Sequence, residues 1–225
     1  MDVLAQGRIR KPLEGIDASA VGDIEEMVLT QQLEVLVAAG KAPYTEICRL
    51  GRAFQVTNTT AVAAAVAIPT TTAGLQLYNG EPDGGRSYVI DFISASNVVS
   101  AATAAQASLV CIVGQVREAV PTNSALVAKK LNGLGGGTND TKARTVLVGT
   151  TLPATTGIAA DWIPVGPSAA KPGVAATPGY SLYYEPNGRI IVPPGRFFAV
   201  QVIANVVGET FVHCIAWHEL QLTLG

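Results

Sequence analysis

The side chains best suited to bind a metal or to react lie close together in the sequence, near the end of the chain. They are His213, Cys214, His218 and Glu219. Imidazole, thiolate and carboxylate groups are the ligands that zinc prefers. In a β-strand, however, His213 and His218 point to opposite faces, and Cys214 lies roughly 13 Å along the strand from His218. The chain has no third histidine. The pattern therefore predicts ordinary sheet histidines, with no metal and no cofactor.

A glycine-rich segment, residues 133–140, is the other candidate for ligand binding. A dinucleotide site requires Gly-x-Gly-x-x-Gly between a strand and a helix, and a Walker loop requires Gly-Lys followed by Ser or Thr. Here the sixth position is Thr138, no Gly-Lys pair follows, and the next apolar run is strand-like. The segment is interpreted as a connection between two strands.

Catalytic arrangements find little support in the spacing of polar residues. No Gly-x-Ser-x-Gly elbow precedes a helix, and both histidines belong to one predicted strand. A glycosidase needs two opposed carboxylates. The candidates have no informative spacing: Asp91, Asp161, Glu185 and Glu209. The sequence thus predicts that the protein is not an enzyme.

The turn at residues 193–195, Pro-Pro-Gly, resembles part of the second cupin motif. In that motif a metal-binding histidine follows the turn, whereas Phe197 and Phe198 follow it here. The resemblance therefore implies a β-barrel or jelly-roll architecture without the cupin metal site.

Three apolar runs near the end of the chain predict three successive strands, at residues 190–192, 197–206 and 210–222. Branched and aromatic residues fill these runs, and Gly and Pro separate them. We expect them to form a meander that packs against a partner sheet.

The N-terminal fifth of the chain has a helical period. Asp17 or Ser19 can cap a helix that ends at Ala39 before Gly40, and a second short helix after Pro43 would end at Gly51. An extended arm precedes both helices. We expect this segment to make assembly contacts through its apolar stripe and its basic residues, and the alternative is that it packs across an open end of its own barrel. The predicted contact residues are Val21, Ile24, Val28, Leu36, Arg8 and Arg10.

After Arg52 the period changes to two, which is typical of strands. The alternating positions include Phe54/Val56, Val62/Ala64/Val66, Leu75/Leu77, Tyr88/Ile90/Phe92, Leu109/Cys111/Val113 and Val146/Val148. Residues 151–180 are rich in Pro and Gly and predict a long, partly ordered connection that is exposed at one end of the sandwich. The predicted fold is mainly β: an antiparallel jelly-roll-like β-sandwich at residues 53–225, preceded by a helical N-terminal arm at residues 1–52.

Composition limits the possible partners. Of 225 residues, 48% are hydrophobic and only 14% are charged, and the formal net charge is −2. Such a balance gives no electrostatic basis for binding nucleic acid or an anionic membrane. Two long stretches, 53–80 and 92–116, contain no charged residue. Their polar content predicts buried sheet and not a membrane span. Three dispersed cysteines predict reduced thiols made in a cytosol.

With its parts in this order, the chain resembles phage virion structural proteins. A helical arm leads into β-rich sequence. The resemblance rests on short sequence segments: Leu-Gly-Arg-Ala-Phe (50–54), Ile-Pro-Thr-Thr-Thr (68–72), Leu-Tyr-Asn-Gly-Glu-Pro (77–82), Gly-Arg-Ser-Tyr-Val-Ile-Asp (85–91), Val-Pro-Pro-Gly (192–195) and Trp-His-Glu-Leu (217–220). The resemblance spans most of the chain and implies a capsid decoration, cement or minor capsid protein. It carries no residue roles.

The resulting expectation is a virion protein that is made in the host cytoplasm and acts by homo-oligomeric assembly, with a trimer favoured and other capsid proteins as partners. Two alternatives remain open: a jelly-roll major coat protein, and a carbohydrate- or receptor-binding virion module. The second would need exposed aromatic residues, for which the candidates are Trp162, Tyr180, Tyr183 and Tyr184.

Overall fold

The computed structural model describes residues 5–7, 25–27, 44–121, 126–133, 143–147, 152, 161–171 and 179–222. The chain forms two compact units, Met1–Pro43 and Tyr44–Gly225. The second, called the two-sheet unit below, begins upstream of the boundary at residue 53 that the sequence predicts. It includes the short segment that precedes the first long strand.

In the N-terminal unit, strand β1 (Ala5–Gly7) pairs antiparallel with strand β2 (Glu25–Met27). The helix predicted from Asp17 or Ser19 to Ala39 is therefore wrong at residues 25–27. Glu and Met favour helix by local propensity, but hydrogen bonding to a second segment overrides such a preference. The rest of the predicted helix lies outside the described residues.

The second predicted helix is present as α1 (Thr45–Arg49). The amide of Cys48 donates to the carbonyl of Tyr44 at 2.8 Å, and Gly51 ends the turn with a φ of 67°. Only a residue without a Cβ adopts such a φ freely, so this glycine matches the predicted stop. The amide of Glu219 then donates to the carbonyl of Arg52 at 2.9 Å, which attaches the segment to the strand region.

The larger sheet has seven strands, all paired antiparallel. The members are β3 (Ala53–Thr57), β4 (Val62–Ala63), β6 (Ser87–Val99), β8 (Lys129–Lys130), β11 (Ser181–Tyr184), β12 (Ile191–Val192) and β14 (Thr210–Leu220). Their order is β11-β6-β14-β3-β8, with β12 paired to β6 and β4 paired to β14. The longest partners, β6 and β14, form the centre of this sheet.

The smaller sheet has five antiparallel strands. The members are β5 (Leu75–Asn79), β7 (Ala105–Val113), β9 (Ala143–Leu147), β10 (Ile163–Lys171) and β13 (Phe197–Ala204). Their order is β10-β7-β13-β5-β9. The prediction of a mainly β, antiparallel protein is confirmed.

Both sheets contribute side chains to one hydrophobic core. The larger sheet supplies alternate residues of β14, among them Phe211, Ile215 and Trp217, and the smaller sheet supplies Val200 and Val202 of β13. A second cluster, which includes Leu152 and Trp162, covers the other face of the smaller sheet. Strand β13 is consequently buried on both faces, which explains why its sequence is apolar except for Gln201 and does not alternate.

A β-bulge in β6 corrects one expectation about the core. Ala216 pairs with Phe92 and Trp217 pairs with Ile90, so Asp91 is an extra residue on β6. The extra residue shifts the inward positions from Tyr88 and Ile90 to Ile93 and Ala95, and all four belong to the core. Phe92 does not continue the predicted Tyr88/Ile90/Phe92 face, and its ring instead contacts Tyr183 at a centroid distance of 5.6 Å.

Two further expectations were wrong. The last three strands do not form a meander, because β12 pairs with β6, β13 pairs with β5 and β7, and β14 lies in the other sheet. The predicted connection at residues 151–180 contains β10, a nine-residue strand. Proline is tolerated there because β10 is at the edge of its sheet. Gly166, with a φ of 69°, lies where the register with β7 shifts.

Gly74 precedes β5 at a position with no space for a side chain. A Cβ there would lie 2.6 Å from Cε1 of His213 and would also overlap Oε1 of Gln201. Gly74→Ala should therefore lower the free energy of unfolding by about 1–3 kcal/mol, as overpacking a buried site does. Urea denaturation measures this. The exposed neighbour Thr72→Ala is the control and should change stability little. Equal stability of wild type and Gly74→Ala would contradict the packing described here.

Candidate assembly surface

Inter-strand connections of the two-sheet unit meet at one end. Those among the described residues follow β3, β6 and β13, and lead to β5, β7 and β14. The first connection also joins the two sheets there. The amide of Ala65 donates to the carbonyl of Val202 at 2.9 Å, and the amide of Ala64 donates to the carbonyl of Glu209 at 2.8 Å. A single end of the unit is thus formed by residues 58–74, 97–104 and 205–210. We call it the uncharged end, because its described residues carry no exposed charge.

Exposed charge is absent from the described residues of this end. Residues 58–74 and 97–104 contain no charged residue at all, and residues 205–210 contain only Glu209. Glu209 is buried, as is Lys171, the last residue of β10. The hydroxyl of Tyr180 donates to Glu209 Oε2 at 2.6 Å, and the ammonium of Lys171 donates to the carbonyl of Ala101. Burial and the neighbouring Glu209 carboxylate raise the pKa of Tyr180.

Five branched apolar side chains are exposed at the uncharged end. They are Val66, Ile68, Val98, Val99 and Val207, of which Val207 is the most exposed at 77%. Val99 pairs with Thr210, and Thr210 also pairs with Ala63 on its other side, so the first and second connections flank the start of β14. A bulge between Thr210 and Phe211 leaves Val98 without a pairing partner. The exposed apolar residues therefore belong to neighbouring segments of one surface.

The opposite end of the unit differs in charge. Arg117 pairs with Asp83, and both side chains are largely exposed. Arg86 Nη1 lies 3.2 Å from Oε2 of the buried Glu219. The described exposed charges are concentrated at this end and along the flanks, so the two ends have different electrostatic character. A pocket of about 320 Å³ at this end is lined by Ser87, Pro193, Pro194 and Leu222, among others, and has no histidine or cysteine in its lining.

The two histidines lie on opposite faces of β14, as the sequence predicts. His213 is fully buried on the core side, and neither ring nitrogen has a hydrogen-bond partner in the described part of the chain. His218 lies on the outer side, where Nδ1 is 2.7 Å from Oδ1 of Asp91 and its ring contacts Tyr44 at a centroid distance of 5.7 Å. The bulge in β6 positions Asp91 for this pair.

These polar groups do not form a ligand set. No group of three or more His, Cys, Asp or Glu side chains among the described residues has the arrangement of a metal site. All three cysteines are free, and burial raises the pKa of the Cys111 thiol to about 12. Burial also raises the pKa of Cys214. Thiols held in this way are poor nucleophiles, because the thiolate is the reactive form.

One aromatic pair is accessible on the outer face of the larger sheet. Tyr183 is half-exposed, contacts Phe92 and donates its hydroxyl to Glu185. The hydrogen bond to Glu185 raises the pKa of Tyr183 to about 12. Of the other aromatic candidates, Trp162 is buried, and Tyr180 packs against Phe211 beside Glu209.

The assembly residues predicted from the sequence lie outside the described residues: Val21, Ile24, Val28, Leu36, Arg8 and Arg10. Sequence reasoning did not identify the uncharged end. Its signal was present, because residues 53–80 and 92–116 are two charge-free stretches and residues 197–208 are a third. Antiparallel pairing between distant segments was needed to bring parts of all three to one end.

Comparison of the chain with protein-family models, with curated proteins and with solved structures found no significant match. Within the described part of the chain, no helix has the length and apolar character needed to span a membrane. The functional argument consequently depends on strand order, surface composition and the environment of individual groups.

The buried His213 predicts a specific acid sensitivity. Burial lowers the pKa of His213 from 6.5 to about 4. Between these values the unfolded chain binds the proton and the folded chain does not, so the free energy of unfolding falls as pH drops below 6.5. The loss is complete below pH 4 and amounts to about 3 kcal/mol. Chemical denaturation at pH 7, 5.5 and 4 measures it.

His213→Leu should remove this component, since leucine does not titrate and leaves no unpaired polar group. His218→Gln is the matched control and should retain the component that belongs to His213. If wild type and His213→Leu lose the same stability between pH 7 and pH 4, then His213 is not the responsible group.

Proposed function

We propose that this protein is a structural component of a virus particle, as a capsid decoration, cement or minor capsid protein of a phage. It acts by assembling with copies of itself and with other capsid proteins, and it performs no catalysis. The observation that carries the proposal is the order of the strands in the two sheets.

The strand order is clearest when eight of the strands are numbered 1 to 8 along the chain. In that numbering they are β3, β5, β6, β7, β10, β11, β13 and β14. The larger sheet then has the order 6-3-8-1 and the smaller sheet 5-4-7-2. This arrangement supports a jelly roll, in which eight antiparallel strands form two facing sheets. Strands β4, β8, β9 and β12 are short or peripheral additions.

Jelly rolls occur in viral capsid proteins, lectins and cupins. A cupin needs metal ligands inside its barrel, and the described core contains a single histidine, His213, with no ligand cluster around it. A capsid protein needs no reactive group but does need surfaces suited to burial. The uncharged end is such a surface, and this supports the virion proposal. A jelly-roll major coat protein is the variant of the proposal that uses the same features.

The N-terminal unit is proposed as a second assembly element. Its described pairing is a two-stranded ribbon, β1 with β2, and such a ribbon has little stability by itself in water. Packing against a neighbouring subunit would add burial to this ribbon. The basic Arg8 and Arg10 and the apolar Val21 and Leu36 are the residues proposed to make these contacts, although residues 25–27 adopt a strand and not the helix first expected.

A carbohydrate- or receptor-binding virion module is the second candidate, and one observation favours it. Tyr183 exposes its ring beside Phe92 and has a carboxylate, Glu185, within hydrogen-bond reach of its hydroxyl. An aromatic face with adjacent polar acceptors suits a sugar ring. A glycan array that retains the wild-type protein but not Tyr183→Ala would support this candidate.

The virion proposal predicts that the purified full chain is a defined homo-oligomer, because closed symmetry satisfies identical surfaces. A trimer is the size that we favour. Size-exclusion chromatography with light scattering measures the mass. Immunogold electron microscopy of particles from the source that encodes this chain should label the particle surface. A monomer that labels no particle, or one that turns over a substrate, would refute the proposal.

Deleting residues 1–40 should leave a soluble, β-rich protein, because the two-sheet unit begins at Tyr44 and contains its own core. The truncated chain should lose attachment to the particle or form a smaller oligomer. Circular dichroism checks the fold and light scattering checks the mass. If the truncated chain retains both the full oligomer and normal attachment, then the N-terminal unit is not an assembly element.

A further inference from the structure

We propose that the uncharged end is the surface through which copies of this chain contact one another. The proposal rests on the proposed function and identifies the partner at that surface as a second copy of the same end. It follows from which side chains are exposed there, which are withheld from the surface, and what the rest of the two-sheet unit offers as an opposing surface.

The exposed side chains require a partner. Val66, Val98 and Val207 expose 59%, 58% and 77% of their surface, and Ile68 and Val99 lie on the same segments. Scattered exposed apolar residues are ordinary in a monomer, but a cluster on neighbouring segments is typical of an interaction site. Hydrogen bonds from residues 64–65 to both β13 and the start of β14 hold the first connection against the two sheets.

The burial of the two charged residues strengthens this interpretation. Glu209 and Lys171 are charged residues of the described part of this end. Each is held below the surface by a hydrogen bond, Glu209 with Tyr180 and Lys171 with the carbonyl of Ala101. Burying a charge is unfavourable unless it is hydrogen-bonded, whereas exposing it to water costs nothing. The uncharged end is therefore maintained against the ordinary tendency of Lys and Glu to reach solvent.

The same charge distribution selects the partner. Nucleic acid requires exposed Lys or Arg, and the described residues of this end have neither. The opposite end of another copy would bring Asp83, Arg117 and Arg86 against the valines and remove those charges from water without compensation. A second uncharged end imposes no such cost. Identical ends meeting around a rotation axis also produce a closed assembly and not an open filament.

The test introduces one charge at the uncharged end of the full-length protein. Val207→Glu and Val207→Lys should each weaken self-association at least tenfold, because either sign would be buried beside its own copies. Val66→Glu should act in the same direction. The matched controls are Val116→Glu and Val120→Glu, which are exposed valines in the connection that follows β7. Sedimentation equilibrium gives the association constants, and thermal unfolding checks that each variant folds.

Each outcome decides the proposal. Weakening by the Val207 and Val66 variants and not by the controls supports it. The proposal is overturned if both Val207 variants associate as the wild type does, or if the controls weaken association equally. The virion function still stands in that case if the protein labels particles. A wild-type protein that is monomeric and floats with phosphatidylcholine vesicles would identify a lipid surface as the occupant, and would overturn the proposal. A wild type that neither associates nor labels particles overturns the proposed function itself.

Discussion

The burial of two sheet faces against each other is the constraint on which the rest of this structure depends. Trp217, at the centre of the shared core, contacts Phe54 and Tyr88 with centroid distances of 5.8 and 5.9 Å. Side chains alternate between the faces of a strand, so a register shift of one residue would move every core side chain to the opposite face. Strand β6 spans thirteen residues and must keep its core positions inward from Tyr88 to Ala95.

The bulge at Asp91 meets this requirement and determines a second feature at the same time. The added residue keeps Ile93 and Ala95 directed inward after Tyr88 and Ile90. It also positions the Asp91 carboxylate beside His218 on the outer face, where Tyr44 covers the pair. His218, which the sequence predicts to be an ordinary sheet histidine, thus takes part in the contact between the segment that begins at Tyr44 and the larger sheet.

The sequence was sufficient to predict a β-rich protein, because β3, β5, β7 and β14 show the alternation or apolar runs that strands require. It was misleading for β2 and β10. Glu25 and Met27 have helical propensity that pairing with a distant segment overrode, and the prolines of β10 suggested a loop because edge position cannot be read from composition. The uncharged end depends on contacts between residues more than a hundred positions apart, which local periodicity does not contain.

The environments of three titratable groups shift their pKa values away from neutral pH. Burial raises the pKa of Cys111 to about 12 and lowers the pKa of His213 to about 4, and the hydrogen bond to Glu185 raises the pKa of Tyr183 to about 12. A catalytic acid, base or nucleophile works best with a pKa near the ambient pH, and each of these shifts moves a group away from it. Core burial produces the shifts of Cys111 and His213, and a surface hydrogen bond produces that of Tyr183. The proposed assembly function rests instead on the distribution of charge over the surface, which differs between the two ends of the two-sheet unit.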